Sequence, residues 1–299
     1  MDAHLRDLRY FVAVADELGF TRAAERLFIS QPALSKQIRQ LESLLRVALF
    51  ERGHRGVALT AAGAALLPAA RQLLTQWDEA QRAVGDAAAY AAAVLRVGIS
   101  TSVGRGLLPA IKCAFTERRP GWQLQIRQID WNDPSVGLRD GSTDVTLRWL
   151  PVPEPSAVSW QVLSTEPRWV AMSAKHRLAD CQEVDFADLL DEPFLALPTS
   201  AGPLRDYWLA IDHRQGRPIR VGAEVHNADE TFEAVANCLG VVLLSEGNAS
   251  IYRREDVIAR PVKGLTPSEL AVAWRVDDHR TAIKDFVDAC AGNSTPKRS

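Results

Sequence analysis

Apolar and polar positions change their period three times along the chain. Between residues 5 and 18, Leu5, Leu8, Phe11, Val12, Ala15 and Leu18 share one helical face, and Gly19 is expected to end that helix. Thr21 is placed to cap a short helix, Arg22 to Leu27. Ser30 can cap a third, with Pro32 in its first turn, where a missing N–H costs little. Leu34, Ile38, Leu41 and Leu45 follow at spacings of four, three and four. Three short helices joined by tight turns make a helix-turn-helix unit. Leu49 to Thr60 places two glycines among alternating apolar residues and reads as a small hairpin, a wing. Thr60 then opens a long helix. Leu66, Ala70, Leu73, Trp77, Ala80 and Val84 form a seam at alternating spacings of four and three, the mark of a helix that pairs with another. The seam covers barely three heptads, so packing on its own domain is the alternative.

After Ala93 the pattern becomes strands alternating with helices. Strands are expected at Leu95–Ile99, Trp122–Ile129, Asp144–Arg148, Trp169–Met172, Phe194–Leu197, Ile219–Val225, Val241–Leu244 and Leu270–Val276. Helices are expected at Leu107–Arg118 (stopped by Pro120-Gly121), Ser135–Arg139, Asp229–Cys238 and Thr281–Ala291. Such alternation implies α/β units with mostly parallel sheets.

Composition narrows the class of protein. With 299 residues the chain exceeds one comfortable core, and its net charge of −2 means that any nucleic-acid surface must be local. Cys113, Cys181, Cys238 and Cys290 are far apart and have no C-x-x-C pair, as expected of reduced thiols in a cytoplasmic protein. The apolar run Tyr10–Ala15 is too short for a signal peptide, and Ala87–Leu95 is too short to span a bilayer, so no membrane partner is expected.

One stretch stands apart. Phe28 to Leu41 reads FISQPALSKQIRQL and contains no acidic residue. Burying Leu34, Ile38 and Leu41 turns Gln31, Ser35, Lys36 and Arg39 outward, toward a negatively charged partner. A helix fits the major groove of duplex DNA, where base edges carry a distinct donor and acceptor pattern. Gln31 can read adenine, Arg39 and Lys36 can reach guanine or phosphate, and Ser30 or Ser35 can bond phosphate. Pro32 and Ala33 offer apolar contact to a thymine methyl. Arg52 and Arg55 of the wing can reach the backbone or minor groove. Each also has a plainer reading: Arg52 can pair with Glu51, and Lys36 can simply keep the helix solvated. Through Thr60 there are nine Lys and Arg against seven Asp and Glu, so affinity must come from placed contacts and dimerisation.

The run FTRAAERLFISQPALSKQIRQLESLLRVALFER, continued by the wing and LTAAGAALLPAARQLL, resembles the DNA-binding head of a LysR-type transcriptional regulator. The remainder resembles that family's effector domain more loosely, by element order and by VANCLGVVLL, with Cys238 where a glycine is common. The resemblance implies a winged helix-turn-helix over residues 1–60 and a linker helix over 61–90 that dimerises through Leu66, Leu73, Trp77 and Val84. It implies a two-lobed α/β effector domain over 91–299, like type 2 periplasmic binding proteins. Lobe I would take about 94–164 and 267–299, lobe II about 165–266. The partners implied are an interrupted DNA palindrome, a small effector between the lobes, and a second copy of the chain, with dimers pairing again into tetramers.

In the effector half, a strand ending in Ser100-Thr101-Ser102 runs toward a helix starting near Arg105 or Gly106, where hydroxyls and free N–H groups suit an anion. The alternative is that Ser100 and Thr101 merely cap that helix. Other candidates at strand ends are Asp130-Trp131-Asn132, Arg148, Thr199-Ser200-Ala201-Gly202 and His226-Asn227. Arg148 is the natural cation for a carboxylate, unless it pairs with Asp144. An enzyme is not expected: there is no H-x-x-x-H, G-x-S-x-G, P-loop or G-x-G-x-x-G, and neither a metal nor a cofactor is implied. An exported solute-binding protein would have no use for the head.

Overall fold

The computed structural model describes residues 4–53, 56–103 and 106–293. The chain divides into two compact units, Met1–Gly85 and Asp86–Ser299.

In the first unit, α1 (Leu5–Glu17), α2 (Phe20–Arg26) and α3 (Gln31–Leu45) precede a hairpin of β1 (Phe50–Gly53) and β2 (Gly56–Leu59) and a long helix, α4 (Ala61–Ala91), whose residues from Asp86 onward belong to the second unit. Leu34, Ile38 and Leu41 are buried with Phe11, Val14 and Ala70, and Phe50 sets its ring against Phe11 and Phe20. Ser30 caps α3 by accepting from the Ala33 N–H. The first turn differs from expectation. Leu18, not Gly19, takes the left-handed cap of α1 (φ 45°), while Gly19 is extended and starts α2, so Thr21 lies inside that helix. The wing is fixed at its root. Glu42 of α3 accepts from the Leu49 and Phe50 N–H groups, and Thr60 donates to the Ala48 carbonyl while capping α4 through Gly63. A Cβ on Gly63 would sit 2.2 Å from the Leu49 carbonyl, so only glycine admits this approach.

The second unit contains β3 (Val94–Ile99), α5 (Leu107–Arg118), β4 (Gln123–Gln128), β5 (Val145–Trp149), β6 (Val158–Glu166), β7 (Arg168–Ser173), β8 (Val184–Asp185) and β9 (Pro193–Ala196). It continues with α6 (Pro203–Trp208), β10 (Arg220–Glu224), α7 (Ala228–Ala236), β11 (Val242–Ser245), α8 (Glu246–Ile251), β12 (Val257–Lys263), β13 (Ser268–Arg275) and α9 (Thr281–Gly292). One sheet has the order β4-β3-β5-β13-β6, with Val97, Val145 and Val272 buried against Phe115 and Phe286. The other has the order β11-β7-β12-β8, and Phe194 of the parallel pair β9-β10 bridges to Val241 beside it. The expectation of mostly parallel sheets is corrected. The pairs β3·β4, β3·β5, β9·β10 and β8·β12 are parallel, whereas β13 and β7 each pair antiparallel with both neighbours. Both sheets are mixed because the chain passes between them twice by short connections, at Pro167 and at residues 264–267, which leave no room for a helical crossover.

Arg168 joins these two connections. It is fully buried and donates to the Thr266 carbonyl, the Thr266 hydroxyl and the Tyr207 carbonyl at 2.8–2.9 Å. A second buried network lies at the other end of the five-stranded sheet. Asp144 accepts from the backbone N–H, Nε and Nη2 of Arg96 and from Nη2 of Arg280, while Asp86, near the end of α4, accepts from Arg96 and Arg275. Burial pushes the Asp144 carboxyl up, but the bonds from Arg96 and Arg280 outweigh it and hold the group below its ordinary value.

Candidate functional site

The surface of α3 is sorted by charge. Arg9, Arg22, Arg26 and Arg71 are all paired with Asp78, Glu17 or Asp16. Among the described residues, no carboxylate lies within ion-pair distance of Lys36 or Arg39, and Gln31, Pro32, Ala33, Lys36 and Arg39 are exposed together. The exposed face therefore carries uncompensated positive charge at the N-terminal half of the helix, beside its Ser30 cap. Ser35 corrects the expectation. It is 3% exposed, and its hydroxyl accepts from Arg39 Nη2, so it steers the arginine and does not face outward. It faces inward because it adjoins Leu34 and Ile38 on the stripe that packs into the core. Of Arg52 only the backbone is described, in β1, and Arg55 lies outside the described residues. Phe28, whose exposure the sequence does not reveal, is 96% exposed and holds a left-handed φ of 54° in the turn before α3.

Along α4 the seam splits. Ala70 is buried and Leu66 packs against the head's own core, the alternative left open for this helix. Leu73, Trp77 and Val84 are exposed large apolar residues in the single chain.

The second unit holds a cavity lined by residues of both its sheets. The five-stranded sheet and its loops contribute Ser100, Thr101, Trp131, Asp133, Arg148 and Trp149. The opposite side is apolar, chiefly Leu195, Leu197, Trp208, Phe232, Leu244 and Tyr252, with Asn248. The cavity volume is about 80 Å³, several times the ~10–15 Å³ that one water needs.

Arg148 is the decisive side chain. It is 2% exposed, and Nη1 donates to the Pro134 carbonyl at 2.9 Å. Among the described residues, no group accepts from Nε or Nη2. The expected alternative, pairing with Asp144, is overturned because Asp144 is occupied by Arg96 and Arg280. Asp133 is the nearest carboxylate influence, yet its oxygens are taken by Ser135 and the Gly137 N–H in a tight turn. That turn, with positive φ at Val136 and Gly137, replaces the expected helix Ser135–Arg139. Burial lowers the Arg148 pKa to about 10, against the pull of Asp133, so the group remains a desolvated cation at neutral pH.

Of the other expected effector residues, Ser100 and Thr101 line the cavity, and Thr101 Oγ1 accepts from Asn248 Nδ2. They do not cap α5, which begins at Leu107 after Gly106 with no side-chain cap; Arg105 lies outside the described residues. The helix itself starts where expected, at Leu107 after Gly106, so what is corrected is the alternative that these two hydroxyls cap it. Ser102 is outside the lining, and its N–H donates to the Tyr252 hydroxyl. Asn132 and His226 meet each other at 3.2 Å, Asn227 caps α7, and exposed Thr199 and Ser200 with Gly202 form the turn before α6. None of these six lines the cavity. Trp131 and Ala201, from the same strand-end stretches, do line it, and the signal that could have found the missed lining was the aromatics Trp149, Trp208, Phe232 and Tyr252, which in sequence look like ordinary core residues.

The profile of the LysR substrate binding domain matches residues 88–294, and that of the bacterial regulatory helix-turn-helix protein, lysR family, matches residues 5–64. The chain belongs to the LysR family. It is a DNA-binding transcriptional regulator, and the relatives it resembles are regulators and not enzymes. It is 34% identical to the Hca operon transcriptional activator HcaR of Escherichia coli over 95% of each chain. It is 31% identical to the regulator ShiR of Corynebacterium glutamicum, over 95% of this chain and 97% of that one. Among solved structures, a full-length OxyR variant of Pseudomonas aeruginosa aligns at 28% identity and TM-score 0.52, covering 97% of this chain and all of that one. Full-length BenM, a regulator of Acinetobacter baylyi, aligns at 28% and TM-score 0.52, covering 97% and 96%. Among the described residues no helix is long and apolar enough to cross a membrane, and no group of three His, Cys, Asp or Glu side chains is placed to hold a metal ion.

Proposed function

We propose that this LysR-family regulator binds an interrupted palindrome as a homodimer in the cytoplasm, and that a small anionic metabolite in the cavity of the second unit modulates that binding. In this reading α3 enters the major groove, with Gln31 and Arg39 on base edges, Lys36 on phosphate, and Arg52 and Arg55 of the wing on the neighbouring backbone. The long helix supplies the dimer contact through Leu73, Trp77 and Val84. The observation that carries the effector half is Arg148. A buried cation with no carboxylate partner is costly unless an anion joins it, and this one faces a cavity.

The test begins by selecting duplexes from a randomised pool on the full-length protein. The expected product is a pair of half-sites separated by a whole number of helical turns, about 34 Å each. Arg39→Ala should then weaken the selected duplex by about 1–3 kcal/mol and relax specificity at one base pair. Equal binding of wild type and Arg39→Ala would refute the assigned face. Carboxylates added to the gel shift should change affinity for the selected duplex but not for scrambled DNA.

A further inference from the structure

We infer that the cavity is built for a monocarboxylate with a flat or compact apolar body, held side-on by Arg148. This deepens the effector reading above and rests on it. Three features carry the inference.

The first is which nitrogens are left over. The guanidinium spends Nη1 on the Pro134 carbonyl, while Nε and Nη2 have no acceptor among the described residues. Those two N–H groups lie parallel along one edge of the plane, the fork that matches the two oxygens of a carboxylate. An end-on site would have left Nη1 and Nη2.

The second is the supply of charge. Arg148 is the one cation among the described residues that line the cavity. A second carboxylate, or the second charge of a phosphate, would be buried without a counterion, at a cost that the site has nothing to offset. Of the neighbouring polar groups, Thr101 Oγ1 accepts from Asn248, the Ser100 carbonyl accepts from Trp131 Nε1, and Asp133 is held by its own turn, while Trp149 Nε1 and Asn248 Oδ1 have no partner among the described residues and can each meet one uncharged polar atom but neutralise no second anion.

The third is the opposite wall. Trp208, Phe232 and Tyr252 present ring surface, Phe232 and Tyr252 being stacked with centroids 4.7 Å apart, and leucines fill between them. Such a wall rewards an apolar body and leaves a sugar or polyol with unmatched hydroxyls.

The experiment is calorimetry and thermal shift on the full-length protein with benzoate, phenylacetate, cyclohexanecarboxylate, benzamide, succinate and inorganic phosphate. At least one apolar monocarboxylate should bind. Benzamide, which has the shape of benzoate but no charge, should bind at least about tenfold more weakly than benzoate, and so should succinate and phosphate. Arg148→Lys, which keeps the charge and loses the fork, should weaken the best acid by at least about tenfold, and Arg148→Met should abolish its binding. The comparison of benzoate with benzamide needs no variant, so it holds if Arg148→Met does not fold. Phosphate or succinate binding best, and lost in Arg148→Met, would overturn the apolar monocarboxylate while sparing the anionic effector. Benzamide binding as well as benzoate, or no carboxylate binding at all, would overturn both.

Discussion

Replacing Asp144 with asparagine tests the energetics of the network that supports the cavity. Asp144 is fully buried immediately before β5, the strand that ends at Arg148 and Trp149. Its Oδ2 accepts from the Arg96 N–H at 2.7 Å and Nε at 3.0 Å, and its Oδ1 from Nη2 of Arg96 and of Arg280, both at 2.7 Å. Asparagine preserves the shape but removes the charge and points an NH₂ at arginine donors. Breaking a buried pair by removing one partner costs about 3–5 kcal/mol. Here Arg96 keeps Asp86, Arg280 keeps Asp278, and both arginine side chains retain some solvent contact, at 12% and 20% exposure. The expected loss is therefore about 2–4 kcal/mol at neutral pH.

Urea unfolding followed by tryptophan fluorescence reads this, since seven of the eight tryptophans lie beyond residue 86. The sign of the pH dependence follows from the depressed pKa. Asp144 is held below its ordinary value of 3.8, so its stabilisation is present above 3.8 and is lost as pH falls through 3.8 toward the native value. The asparagine variant lacks that term. The gap between wild type and variant should therefore narrow in acid. A gap under about 1 kcal/mol at pH 7, the size of an exposed pair, would refute the network argument. A gap that stays constant into acid would trace the loss to packing and not to charge.

Two further predictions concern other parts of the chain. Trp77→Glu should give monomers by light scattering, because Trp77 is a large exposed ring in the seam of the long helix and a charge there could not be buried in a helix pair; an unchanged dimer would exclude this face. Phe28→Asn and Cys238→Gly should each raise the urea midpoint by up to about 1 kcal/mol equivalent, since both residues hold left-handed backbone after a helix (φ 54° and 59°) and are exposed, so strain is relieved and little packing is lost; a lowered midpoint would show that the native side chain is stabilising.

Much of the fold is legible because local rules and packing agree. Ser30, Pro32, Leu34, Ile38 and Leu41 announce α3 by cap and period, and the structure uses each as expected. The failures have physical causes. The strand β12 contains Pro261, which argues against a strand, yet its backbone runs beside β7 from Val257 to Pro261. The strand β6 follows a proline-rich segment and lies at a sheet edge, where exposed positions blur its alternation. Asp144 and Arg148 look like partners in sequence, but four residues along a strand span roughly 13 Å. Their real neighbours, Arg96, Arg280 and Pro134, are set by sheet register and by a turn with positive φ, neither of which a local pattern encodes. The cavity was least legible, because apolar residues that line a space and apolar residues that fill one are written alike.

The division of the cavity between two sheets determines what a ligand there could accomplish. A ligand shifts a conformational equilibrium only by the difference in its affinity for the two states. An acid held by Arg148 alone would touch one sheet, gain the same energy whatever the position of the other, and shift nothing. The difference must come from the body of the ligand on Phe232 and Tyr252, which belong to α7 and the residue after α8, packed on the other sheet. The present contacts across the gap are both polar and apolar: Asn248 to Thr101, Tyr252 to Ser102, the Trp131 N–H to the His226 carbonyl and Asn132 to His226, with the Trp208 ring set edge-on against Trp149. The two chain connections, at Pro167 and at residues 264–267, are tied together by Arg168. About 100 Å² of apolar surface covered in one state and not the other would supply roughly 2.5 kcal/mol at 25 cal/mol per Å². That lies within the usual allosteric coupling of about 1–3 kcal/mol. In the proposed reading, then, the arginine would secure the ligand and the aromatic wall would supply the switch.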